Sequence, residues 1–145
     1  MSAFVIDLDP IRQVLRLTIR EVLTDRVVLD VYQSMMRLAS RGGPYAAIFD
    51  GSKVQEVKLS ADTIRNLALG VPAVPAGRPR VVVVNKIVLY GLTRMFESTR
   101  TSMGFQFHIV WSVDEAYALL GVGPESFSER LFPESPIAAG SGGEI

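Results

Sequence analysis

The 145-residue chain contains no cysteine, which excludes disulfides, thiolate metal sites and cysteine nucleophiles. Histidine occurs once, at His108, so multi-histidine metal sites are excluded and histidine catalysis has a single candidate. Excess charge of one sign is missing too. Fifteen lysines and arginines balance fifteen aspartates and glutamates, and no global field draws the chain to nucleic acid or an anionic membrane. No apolar run approaches the roughly 20 residues of a membrane-spanning helix, and the first residues lack a basic-then-apolar signal pattern. Phosphate-cradling glycine loops are absent, as is the GxSxG nucleophile elbow. These absences predict a soluble, cytoplasmic, non-enzymatic domain without a cofactor or a metal.

What is present is ordinary for a globular protein: 48% hydrophobic and 21% charged residues. The length suits one domain, large enough to remove roughly 68–70% of the unfolded chain's surface from water. Phe4 to Leu8 is a β-rich run ended by the turn signal Asp9-Pro10. Leu15, Leu17 and Ile19 then alternate with Arg16, Thr18 and Arg20, the period of a strand with one wet face, and the two runs are expected to form a hairpin. Asp7, Asp9 and Asp50, at strand ends, read as turn-makers.

From Thr24, a cap candidate, the period becomes helical: Val28, Val31, Tyr32, Met35, Met36 and Ala39 recur up to the stop at Gly42-Gly43. Tyr45 to Phe49 predicts a short strand, Ser60 a cap for a helix over 61–69, and Gly70 to Pro79 a loop. Arg80 to Val84, with four valines in a row, predicts a central strand buried on both faces. A helix over 87–101 is expected to turn Val88, Leu92, Met95, Phe96 and Thr99 inward. Phe105 to Trp111 is the last expected strand, with Phe105, Phe107, Ile109 and Trp111 on one face and His108 on the other. Ser112-Val-Asp-Glu115 is a capping box for a fourth helix, to Leu120. The order β-β-α-β-α-β-α-β-α argues for parallel crossovers after the hairpin.

Residues 123–145 differ in composition, with four glycines, four serines and three prolines, and four glutamates against Arg130 give a net charge of −3. Residues 1–122 therefore read as the folded domain, and 123–145 as an acidic tail. A short amphipathic helix is expected over 124–132, with Phe127 and Leu131 at i,i+4, and a flexible end over 138–143. The last strand's apolar face needs cover, expected from a homodimer or from Phe127 and Leu131 laid across it.

The hairpin, the helix opening with Thr24-Asp25, the strand ending in Phe49-Asp50 and the stretch Tyr90-Gly-Leu-Thr-Arg-Met-Phe96 resemble the bacterial SpoIIAA-like proteins of the STAS (anti-sigma factor antagonist-related) superfamily. So does the closing strand followed by Asp114 to Leu120, and the resemblance spans residues 4–122. It implies an α/β fold, a β/α superhelix with a five-stranded mixed sheet and four helices mainly on one face. It also implies a protein-interaction or regulatory module. The antagonists are phosphorylated on a serine at a helix start, a position that falls here on Ser60. Their Asp-Ser-Ser/Ala-Gly pattern stands here as Lys58-Leu59-Ser60-Ala61, without the acidic residue or the glycine, and Ser60 is equally a helix N-cap. The same fold class includes lipid-carrying Sec14-like domains, so the alternative is a carrier of a small apolar ligand or lipid. Its adaptable pocket would be lined by Met35, Met36, Met95 and Met103.

A partner or anion contact is expected at Tyr90, Arg94 and Lys86. Gly91 between the first two would let the helix approach the sheet closely and hold its neighbours rigidly. Arg65 and Arg78 would extend the positive patch, with the acidic tail as an internal candidate partner.

Overall fold

The chain opens with two strands, β1 (Phe4–Asp9) and β2 (Val14–Thr24). It continues through α1 (Asp25–Arg41), β3 (Ala46–Lys58), α2 (Ala61–Leu69), β4 (Arg80–Val83), α3 (Ile87–Ser102), β5 (Phe107–Val110) and α4 (Val113–Leu120). A 3-10 turn (Pro124–Ser126) and β6 (Glu129–Phe132) follow. This computed structural model describes residues 2–133; the expected flexible end over 138–143 lies outside them. The boundaries follow local chemistry. The Asp9 carboxylate accepts hydrogen bonds from the Ile11 and Arg12 amides at 2.9 and 3.1 Å and turns the hairpin. Thr24, Ser60 and Ser112 cap α1, α2 and α4, each hydroxyl accepting an amide three residues on.

The sheet is mixed, six-stranded, and ordered β5-β4-β3-β2-β1-β6. β2 through β5 pair in parallel, and β1 is antiparallel to both β2 and β6. The expected five strands become six because residues 129–132 are not helical. Only Pro124–Ser126 forms a helical turn, and the chain then extends along β1 with Ile6 opposite Phe132 and Asp7 opposite Arg130. Two interactions favour the strand over the helix. Phe132 stacks on Phe4 with ring centroids 4.6 Å apart, and Arg130 Nε donates to Asp7 at 2.6 Å. β3 also outruns the expected Tyr45–Phe49. Its polar second half stays extended beside the second half of β2, from Arg20 opposite Lys53 to Thr24 opposite Lys58.

One face of the sheet carries α1, α2 and α3 over Leu15, Leu17, Ile19 and Ala47. The other carries α4 and Phe127 over Val14, Ile48, Val81 and Val83. Phe127, from the tail, is buried against Tyr117 and beneath the Arg16 guanidinium, 4.5 Å from its ring centroid. Leu131 packs instead with the first cluster. Asp9 makes a turn, but Asp50 and Asp7 do not: Asp50 lies within β3 and accepts from the Ser52 amide beside an irregularity in the pairing with β2, and Asp7 is buried mid-strand and pairs with Arg16 and Arg130.

α3 is turned from the expected phase, although Phe96, one of the residues expected inward, does pack against Phe107 of the sheet. Leu89, Thr93 and Arg100 are the buried positions, and Val88 is 53% exposed. Gly91 faces open space, since a Cβ there would meet nothing within 4 Å, so the expected close approach at this residue does not occur. A close approach to sheet backbone occurs instead at Gly51, where a Cβ would lie 2.7 Å from the Val83 carbonyl oxygen and 3.0 Å from Leu89. Among the described residues, no helix is long and apolar enough to cross a membrane.

Candidate functional site

Of the residues expected to form a contact patch, Lys86, Tyr90 and Arg94 follow one face of α3 at four-residue spacing, whereas Arg65 and Arg78 are engaged elsewhere. Tyr90 is half-buried and stacks on Trp111 at 5.5 Å, while Arg94 points outward and pairs with Glu97 of its own helix at 3.4 Å. Lys86 lies at the start of α3, in a shallow groove shared with Arg20, Glu21 and Lys53. Arg65 pairs with Asp62 on α2. Arg78 is tied at the opposite end of the strands, donating to the Arg12 and Gln13 carbonyls at 2.8 and 2.9 Å. The described part of the acidic tail forms β6, on the sheet edge away from β5 and α3.

Ser60 is exposed at the start of α2. Its hydroxyl oxygen accepts from the Thr63 amide at 3.2 Å, and its own amide donates to the Asp25 carboxylate at 2.8 Å. That amide bond holds Asp25 below the usual carboxylate range. A phosphate on Ser60 would therefore face Asp25 as well as Asp62 in the first turn of α2. Replacing the cap by alanine is expected to lower stability by about 1 kcal/mol in urea denaturation, whereas Ser60→Asn, which keeps an acceptor, should stay close to wild type. Ser60→Asp should fall between them because its carboxylate faces Asp25; an aspartate variant more stable than the asparagine one would refute that geometry.

An apolar opening lies elsewhere, between the sheet and α1, α2 and α3. It is a partly open cavity of about 150 Å³. β2 contributes Ile19 and Leu23, α1 contributes Val31, Tyr32 and Met35, and β4 contributes Val82. α3 presents Leu89, Thr93, Phe96 and Arg100 at i, i+4, i+7 and i+11, one helical face. Of the four methionines expected to line a pocket, only Met35 does; Met103 is half exposed.

Two arginines interrupt these apolar walls. Arg80, the first residue of β4, is 4% exposed, and Arg100, near the end of α3, is 0% exposed. The alternation of β4 explains Arg80: Val81 and Val83 pack beneath α4, so Arg80 and Val82 face the cavity. Aromatic rings flank both guanidinium groups. Arg80 lies 5.5 Å from the Phe96 centroid and 5.6 Å from that of Phe107; Arg100 lies 4.9 Å from Phe96 and 5.6 Å from Phe105. Arg100 Nη2 donates to the Leu67 carbonyl in the last turn of α2 at 2.8 Å, and the Tyr32 phenol faces the same group.

Three guanidinium nitrogens remain buried without an acceptor: Arg80 Nη1, Arg100 Nε and Arg100 Nη1. Among the described residues neither arginine forms an ion pair. Burial pushes the Arg80 guanidinium down to about 10, with the nearby Arg100 charge adding to the effect. Burial lowers Arg100 too, opposed by Tyr32. Both stay cationic at neutral pH. Each orphaned buried donor costs about 1–3 kcal/mol, and more on a charged group, so the arrangement works against stability.

Comparison with protein-family models, with curated proteins and with solved structures found no match for the chain. The site itself is therefore the basis for function. Its two arginines escaped the reading of the sequence, although one local signal exists: Arg100 lies on the same helical face as Leu89, Thr93 and Phe96.

Proposed function

We propose that this chain is a non-enzymatic binding domain of STAS-like architecture, whose ligand inserts a small apolar group into the cavity beneath α1, α2 and α3. The cavity is the observation that carries this reading. Its volume of about 150 Å³ matches an apolar chamber that accepts a benzene ring, and its walls are almost wholly aliphatic and aromatic. The element order after the hairpin, with three helices on one face and one on the other, supports the STAS-like part.

A ring-sized apolar probe tests the reading directly. Toluene titrated into the labelled protein should shift amide resonances of Val82, Leu89 and Thr93, which line the cavity. Ala73→Phe fills the same space from the loop between α2 and β4 and should abolish the shifts while leaving the fold intact. Toluene shifts that persist in Ala73→Phe, or none in the wild type, would contradict it. The second reading, a STAS-like protein-interaction module, is favoured by the exposed Ser60 hydroxyl at the start of α2. Native mass spectrometry of protein taken from cells separates the two: a co-purifying small mass supports the ligand, and a bare chain or dimer supports the module.

A further inference from the structure

We infer that the ligand is a small organic carboxylate, its anionic head held by the guanidinium groups of Arg80 and Arg100 and its apolar part seated in the cavity. This rests on the reading that the cavity takes a ligand, and it adds the chemical class.

Three observations converge on it. First, the two cations line one apolar chamber and lie close enough for the charge of Arg100 to depress the ionisation of Arg80, yet no carboxylate of the described residues pairs with either. A buried charge without a counter-charge destabilises a fold, so a pair of them marks a place where stability has been given up for binding. Second, three donors are unused, one on Arg80 and two on Arg100, while Leu67 and Tyr32 occupy the rest of the Arg100 fork only in part. Planar guanidinium donors match the two oxygens of a carboxylate, and the flanking Phe96 ring keeps both forks from swinging away. Third, the size and the apolar walls of the chamber limit the ligand. About 150 Å³ admits an aryl or short branched alkyl group and excludes a nucleotide or a long acyl chain. A phosphate dianion would carry a far larger desolvation cost than a carboxylate into such walls.

The test compares benzoate with toluene, the same ring with and without the anion, on the full chain at neutral pH by calorimetry and thermal shift. Benzoate is expected to bind about ten- to a hundred-fold more tightly than toluene, the gain from hydrogen bonds to charged groups. Arg100→Met and Arg80→Met should each cut benzoate affinity towards that of toluene, leave toluene binding in place, and raise the ligand-free Tm by removing an unpaired cation. Benzoate binding no tighter than toluene, or a preference that survives both variants, would overturn the carboxylate while leaving the cavity reading intact. Binding of neither probe would overturn both. Should one variant fail to fold, the wild-type ratio and the other variant decide.

Discussion

A chain ending at Val122 is expected to lose the native sheet, with no cooperative urea transition resembling that of the full chain. That position is where composition alone divides domain from tail, yet the sheet crosses it. Truncation removes β6, leaving β1 as an unpaired edge that carries Phe4, Ile6 and Leu8. It strips the stacked Phe132 from Phe4 and the buried Phe127 from the pocket between Tyr117 and Arg16. Deleting one buried aromatic side chain typically costs 3–5 kcal/mol, and total stabilities are about 5–15 kcal/mol, so losing the buried Phe127 together with the half-buried Phe132 and a strand leaves little or nothing. Near-ultraviolet circular dichroism and the urea midpoint are the measurements. A truncated chain with a wild-type midpoint would return the boundary to residue 122.

Asp7→Ala is expected to be the most damaging single substitution of a polar residue on the α4 side, at about 3–5 kcal/mol. Asp7 is 5% exposed and holds Arg16 at 3.2 Å and Arg130 at 2.6 Å. Arg16 in turn donates to the Tyr117 hydroxyl at 2.8 Å, so one carboxylate joins β1, β2, β6 and α4. Burial works against the Arg16 guanidinium, but its bonds to Tyr117 and Asp7 outweigh it and raise its ionisation above the ordinary value. Without Asp7 that cation stays buried and uncompensated. Arg130→Gln should cost far less, roughly 1 kcal/mol or below, because the Arg130 side chain is 46% exposed and water replaces its partner. Replacing both members of the inner pair, Asp7→Leu with Arg16→Met, should recover most of the loss; a double variant as unstable as Asp7→Ala would show that the damage lies in the strand pairing.

The helices were legible because their ends carry chemistry that acts locally. Thr24, Ser60 and Ser112 each cap a helix where a side-chain oxygen precedes an amphipathic run. The parallel core strand Arg80–Val83 was legible from its valines. β6 was not, because four residues, Glu129 to Phe132, show no period of their own; they are extended by what β1 offers across the gap. The second half of β3 failed for a related reason: its residues from Ser52 to Lys58 are mostly polar, and only pairing with β2 keeps them straight. The site was missed through a rule that usually holds. Placing the most apolar residues of α3 inward turns Arg100 to solvent, whereas the structure buries Arg100 and exposes Val88. Arg100 shares its inward face with Leu89 and Phe96, and its place beside a second buried cation becomes visible only once the facing strand supplies Arg80.

The pairing of β6 with β1 has a consequence for how the molecule comes into being. Ile6 meets Phe132 across 126 positions of chain, so this edge closes by the most remote contact in the sheet. During synthesis the hairpin leaves the ribosome before the rest of the sheet and can fold locally, but its outer strand stays uncovered until residues 129–132 have been made. Throughout that interval the nascent chain offers a bare β-edge flanked by Phe4 and Ile6, and the arrival of β6 closes this window for intermolecular pairing.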